Sequence, residues 1–340
     1  MKKIFLLVVV SCMFIPNVYA NTTPFYINNN GIEFTRSEYN KFLQLEYQKE
    51  EIAEFTEDLY NNMKNFAVGQ NASVSEYYED IYVYKSKASY DAKEEPIHII
   101  SKKIDKIEYA LSKKKNGYGH LNLLQNTLNT KTVNTGENYY ETTYKKLTIT
   151  ITKDTMNFSN RFVAAGVIWK IMPSVRSYDI MAMRINSNAG WFNLNTQSGS
   201  YKYTVGATPG CDITSSLTNT VAFANNNSAW NKKTMVSGGA PYGIGVTHQL
   251  ASNPIACTND MGIIIKSEIT AMNTNISSQA TTPTSALTVY ASYQHATSNV
   301  SYSNIVNSYE FLPSGLGGVI SFTNEIRNKY DAMGGISLSY

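Results

Sequence analysis

The sequence predicts a mainly β protein: an antiparallel β-sandwich-like domain behind an N-terminal α-helical hairpin. Three observations lead there. From residue 145 onward, short apolar segments with period-two alternation recur without amphipathic helices between them. Residues 21–154 carry 19 acidic and 17 basic side chains, whereas 155–340 carry 7 and 10 and rely on Ser, Thr, Asn and Tyr for polarity. Helical spacing of apolar residues is confined to the first of these parts.

Residues 1–20 read as an export signal, with Lys2 and Lys3 before a short apolar run and Val18-Tyr19-Ala20 as a small-x-small cleavage site. That run is too short to span a bilayer, which takes ~20 apolar residues. Val9-Val10-Ser11-Cys12 has the form of a lipid-attachment site, but it follows a very short apolar core. Cleavage after Ala20 and free secretion are therefore the expectation. Without Lys2 and Lys3 the formal charge of +3 falls nearly to neutral, so the basic footprint that nucleic acid requires is missing.

Three regions are expected: a signal at 1–20, a helical hairpin and mixed charged region at 21–144, and an antiparallel β domain at 145–340. Thr35 and Glu38 have capping-box spacing, with Ile32 or Phe34 placed to staple the helix entry. Phe42, Leu43 and Leu45 continue a first helix; Ile52, Phe55, Leu59 and Met63 mark a second, joined to it near Tyr47. Neither helix can bury its apolar face alone, so the pair is expected to dock as a cap on the β domain. SEYYEDIYVYKSK reads as an aromatic strand. PIHIISKKIDKIEYALSKKKNG reads as a helix from Pro96, with Ile100, Ile104, Ile107 and Leu111 on one face and lysines on the other. An Asn/Thr-rich connection follows, from Asn122 to Thr143.

Strands are then expected in KKLTITITK, RFVAAGVIWKIMP, SYDIMAMRI, AGWFNLN and SYKYTV, and around Val221 to Phe223. PYGIGVTHQLA, MGIIIKSEIT, SALTVYASYQHA, VSYSNIVNSYEF and GGVISFTN continue the series. Many short strands without crossover helices favour an antiparallel sandwich over a parallel sheet.

Cys211 and Cys257 are the cysteine pair left after the signal, and an even count in an oxidising compartment favours a disulfide between them. Their spacing does not make a zinc site, so no metal and no cofactor are expected. GxSxG, HExxH, Walker and EF-hand patterns are all missing, and the expectation is a protein that is not an enzyme, with no catalytic residue. Of His98, His120, His248 and His295, the last two fall in strands and are placed to meet across a sheet. Asp179, Asp212, Asp260 and Glu268 are the acids a hydrolase would draw on, if the fold paired two of them.

The 25 tyrosines and three tryptophans suit protein or glycan recognition where they are exposed. Trp169 lies in an apolar run and reads as core, while Trp191 and Trp230 adjoin Asn-rich turns and are the candidate binding residues. The segment 262–293 pairs two strand-like runs about a Ser/Thr-rich centre. Leu287, Val289, Ala291 and Tyr293 would form the lipid face of an inserting hairpin.

NNNGIEFTRSEYNKF, VIWKIMPSVRSYDIMAMRI and YEFLPSGLGGVISF resemble segments of uncharacterised secreted proteins of low-GC Gram-positive bacteria. The resemblance implies export and no particular chemistry, and it carries over no functional residue. The leading expectation is a secreted, non-catalytic surface-recognition protein with a host, cell-wall or glycan partner. A β-pore-forming or membrane-perturbing protein is the alternative, and membrane contact belongs to that reading alone; a secreted hydrolase is the third.

Overall fold

The computed structural model describes residues 24–112, 118–120, 138–171, 173–186, 189–206, 217–223, 230–234, 240–251, 258–271, 287–312, 319–323, 325–331 and 335–340. The signal with Cys12, the Cys211–Cys257 pair, Asp212 and the Ser/Thr-rich centre of 262–293 lie outside the described residues.

A short ribbon, β1 (Tyr26–Ile27) with β2 (Glu33–Phe34), leads into α1 (Arg36–Gln44). Here the predicted capping box forms: the Glu38 amide donates to Thr35 Oγ1 at 3.2 Å, and the Thr35 amide donates to Glu38 Oε2 at 2.9 Å. The second predicted helix is two, α2 (Lys49–Ala53) and α3 (Glu57–Met63). Thr56 is extended and caps α3 by accepting from the Leu59 amide, so the chain breaks between Ile52 and Leu59 although the apolar spacing runs straight through. Phe34, Phe42, Tyr47, Ile52, Phe55, Leu59 and Met63 converge in one buried aromatic-rich cluster that includes Phe162 of the β domain. The helices are thus a docked cap.

The long strand β3 (Val68–Tyr84) is followed by α4 (Lys87–Asp91), β4 (His98–Ile104), α5 (Lys106–Leu111) and β5 (Tyr118–His120). The helix expected from Pro96 is therefore mostly a strand. Ile100 and Ile104 are four residues apart, a spacing that fits one face of a strand as well as of a helix. The edge of β3 decides between them: Ile81 pairs with Ile100, Glu79 with Lys102, and Lys103 Nζ reaches Glu76 at 2.6 Å. The helix proper starts at Asp105, whose carboxylate caps the Glu108 amide.

Then come β6 (Tyr139–Asp154), β7 (Asn160–Ile171), β8 (Tyr178–Ile185), β9 (Gly190–Phe192), β10 (Ser198–Val205), β11 (Leu217–Phe223), β12 (Trp230–Thr234), β13 (Pro241–Gln249), β14 (Thr258–Ala271) and β15 (Thr288–Gln294). After these lie α6 (Tyr302–Val306), β16 (Tyr309–Phe311), β17 (Ile320–Phe322) and β18 (Ile336–Ser339). VSYSNIVNSYEF, expected as a strand, thus splits into α6 and β16, and AGWFNLN into β9 and a 3-10 turn.

Among the described residues the strands form a nine-stranded sheet, ordered β11-β10-β14-β7-β6-β3-β4 with β5 beside β6 and β9 beside β14. A five-stranded sheet, β12-β13-β8-β15-β18, faces it. All the pairings are antiparallel, so the fold is the predicted sandwich. Alternation fills the space between the sheets: Leu147, Ile149 and Ile151 of β6, Val163, Ala165 and Val167 of β7, and Ile263 and Ile265 of β14 meet Met181, Met183, Ile185, Val289 and Ala291. Residue 145 lies inside β6, and β3 pairs with β6 from Val68–Asp154 to Tyr84–Tyr139. No helix among the described residues is long and apolar enough to cross a membrane.

Candidate functional site

The outward-facing residues of β3, β6, β7, β14 and β10 line up in three rows across the sheet. Tyr77, Lys146, Ile168, Gly262 and Lys202 form one; Ser75, Thr148, Gly166, Ile264 and Ser200 the next; Ser73, Thr150, Ala164, Lys266 and Ser198 the third. The helical cap covers the third row at its Lys266 end, where Glu51 of α2 grips Lys266 Nζ at 2.6 and 2.7 Å with both groups buried. Beyond the cap the rows open, except at the buried Ser200, as a furrow of about 570 Å³ that also takes in Ser73, Thr150 and Ala164 and is bordered by Glu46 and Gln48.

Small residues set the furrow's depth. A Cβ on Gly262 would lie 2.7 Å from the Val167 carbonyl oxygen, and one on Gly166 would lie 3.0 Å from that of Ile263. Strand glycines at such close approaches leave a trough between their neighbours. Hydroxyls form its walls: Ser75 Oγ and Thr148 Oγ1 are 2.9 Å apart, and Thr150 donates to Ser73 at 3.3 Å. Ile168, half exposed, gives the trough an apolar step, and Lys146 and Lys202 stand on either side of it. Tyr77 adjoins that end, with Lys146 Nζ 6.0 Å from its ring and Tyr109 packed on it at 4.9 Å.

A second cluster lies between the sheets. Lys145 continues the inward alternation of β6 and is fully buried, with its ammonium 2.5 Å from Asp331 Oδ2 and 2.8 Å from Asp80 Oδ2. Ser101 holds the other oxygen of Asp80 at 2.5 Å, and the His295 amide holds Asp331 Oδ1 at 2.7 Å. The Trp169 ring lies 4.9 Å from Lys145 Nζ, and Tyr293 closes the far side at 6.0 Å. Burial would drive the lysine down, but Asp331 and Asp80 together hold it above its ordinary range. Asp331 is raised as well, by its own burial and by Asp80, against the pull of Lys145.

Next to it, Asp179 takes His295 Nδ1 at 2.9 Å, the Ala296 amide at 3.0 Å and the Tyr293 hydroxyl, which in turn accepts from Trp169 Nε1 at 2.9 Å. Burial opposes a charge on His295, yet the Asp179 carboxylate raises it above its usual range. Glu141 accepts from Ser174 Oγ at 2.7 Å, and burial lifts it to about 7.

The sequence-predicted residues are distributed differently. Trp191 pairs with Thr270 at the edge of the larger sheet and Trp230 with Val246 in the smaller, so the two tryptophans stand on different sheets. His248 and His295 flank Asp179, but His295 is ion-paired to it, while His248 packs on Tyr201 at 4.3 Å and Phe223 at 5.1 Å. Asp179 is buried in the smaller sheet, whereas Glu268 lies in the larger one, bonded to Asn160 and Asn193. These two acids therefore belong to separate clusters. Runs 258–271 and 288–294 are not a hairpin: β14 and β15 lie in opposite sheets, with Leu287, Val289, Ala291 and Tyr293 buried in the core.

Sequence reasoning passed over the furrow and the lysine cluster. The first was signalled by the outward threonines of LTITIT together with glycines inside AAGVIW and MGIIIK. The second had no local signal, because Asp80, Lys145 and Asp331 are far apart in the chain and only the fold brings them together.

No protein-family model matches the chain, and no curated protein matches it in sequence. Among solved structures it is similar, at 9% identity, to the C-terminal domain of the Streptococcus pyogenes antigen I/II-family protein AspA. That likeness covers 71% of this chain and 82% of that one, with a TM-score of 0.21.

Proposed function

We propose that this is a secreted, non-catalytic surface-recognition protein whose outer furrow binds an extended glycan bearing acidic groups. The observation that carries the reading is the uncovered half of the large sheet, where a Gly/Ala floor lies between Ser and Thr walls. Closely spaced hydroxyls match the alternating donors and acceptors of sugar hydroxyls. Ile168 and Ile264 offer apolar surface to the C–H faces of a sugar ring, and Lys146 and Lys202 place two cations beside it. Glu46, Lys146 and Lys202 are the titratable groups that line the furrow. Export follows from the N-terminal signal read in the sequence.

Binding of acidic and neutral polysaccharides, measured by calorimetry and by mapping NMR shifts onto the furrow, tests the proposal. Thr148→Trp fills the trough from a half-buried, outward-facing position. It is expected to weaken binding at least tenfold with the melting temperature unchanged. A Lys146→Ala, Lys202→Ala double variant is expected to lose the preference for acidic chains. Shifts that map away from the furrow, or undiminished binding by the tryptophan variant, would refute the assignment.

A further inference from the structure

We infer that Lys145 and Asp331 condense to an intramolecular amide, with Asp80 as the proton carrier. An ammonium and two carboxylates fully removed from water are costly as ions, and leaving any one unpaired costs more. Here the three are also arranged for reaction. Nζ stands 2.5 Å from one oxygen of Asp331, while the other oxygen is held at 2.7 Å by the His295 amide. That amide is placed to stabilise the oxyanion that forms when nitrogen adds to Cγ. Asp80 Oδ2, 2.8 Å from Nζ, is fixed through its other oxygen by Ser101. Trp169 and Tyr293 wall the group.

The step balances without an oxidant or a co-reactant. Asp80 takes a proton from the Lys145 ammonium and passes it to Asp331 Oδ2. The freed amine lone pair attacks Cγ, forming the C–N bond and placing negative charge on Oδ1. Asp80 then removes a second proton from nitrogen and delivers it to the Oδ2 hydroxyl, which leaves as water as the C–O bond breaks. The carbonyl re-forms on Oδ1, and Asp80 returns to its starting state. Held reactants gain effective molarities of ~10⁵ M or more over free ones, so a reaction negligible between separate molecules becomes feasible here.

Lys266 and Glu51 supply an internal comparison. They too are a buried lysine and carboxylate in contact, beside the Tyr47 ring, but the ion pair at Lys266 among the described residues is with Glu51 alone. With no second carboxylate in ion-pair contact with Lys266 among the described residues, Glu46 acting on it only through its charge, this pair is expected to stay ionic. The inference is therefore for the loss of one water, not two.

Intact-mass measurement of the full mature chain, denatured and reduced, tests it. The expected result is a mass lower by one water, with a protease-resistant branched peptide joining Lys145 to Asp331. Asp80→Asn keeps the shape of the carrier but not its proton relay; it is expected to fold, by circular dichroism, and to retain the full uncondensed mass. Lys145→Met and Asp331→Asn report on the bond itself, and only Asp80→Asn needs to fold for the mechanism to be read. A folded wild-type chain at full mass would overturn the inference. So would a water loss that maps to other residues or persists in Asp80→Asn.

Discussion

Glu141 shows how a single buried carboxyl sets the response to pH. Burial raises it from 4.5 to about 7, with Ser174 and Tyr84 only partly offsetting the shift. Because the folded state holds this proton more tightly than the unfolded chain, its contribution is full below the unfolded pKa and is lost as pH rises through about 7. That loss amounts to roughly 3 kcal/mol. His248 has the opposite sign. Burial lowers it from 6.5 to about 4, so stability falls as acidification below 6.5 protonates the unfolded chain first. Urea midpoints for Glu141→Gln are expected to decline less between pH 4.5 and 7.5 than wild type. His248→Phe, packed on Tyr201 and Phe223, is expected to flatten the acid limb between pH 6.5 and 4. At this scale the sequence told little. Asp80 and Lys145 look like ordinary exposed charges on aromatic or Thr-rich strands, and only their place on the inward face of paired strands buries them.

Among elements, one buried ion pair adds to the apolar cluster that docks the cap. Burial lowers Lys266, while Glu51 pulls it back toward its charged form. Glu51→Ala leaves that ammonium buried and unmatched, at a cost of about 3–5 kcal/mol. The expected outcome is a lower melting temperature and proteolytic cleavage within α1 to α3 before the β domain is cut. The double replacement Glu51→Leu, Lys266→Met is expected to recover most of the loss, because two packed apolar groups need no partner charge. The cap was largely readable: Thr35 and Glu38 announce α1, and the apolar stripe of 52–63 announces burial. The break at Thr56 was not, since a threonine inside apolar spacing serves equally as a helix residue or a cap. Strand β4 was misread because isoleucines four apart satisfy both periods, and the partner that decides lies some twenty residues upstream in β3.

For the whole molecule, the boundary expected at residue 145 does not coincide with a break in the sheet. β3 lies before it, β7 after it, and both pair along β6. Fragments 21–144 and 145–340, expressed separately, are each expected to lack a cooperative thermal transition by circular dichroism. A sharp melt from 145–340 alone would show that the strands before it are dispensable. The antiparallel sandwich itself was legible from alternation, because a sheet buried on one side imposes it. Which strand joins which sheet was not, since hairpins and longer connections leave similar traces. Lys145 and Asp331 are 186 residues apart, one near the middle of the chain and one just before the last strand. Joined covalently, they would divide the molecule mechanically. Tension applied between residues 24 and 340 would pass through the cap, β3, the first part of β6 and then β18, while everything from Lys146 to Tyr330 hung slack behind the bond. A puller could strip away the two ends, yet β7 to β17 would lie outside the covalent path of the load.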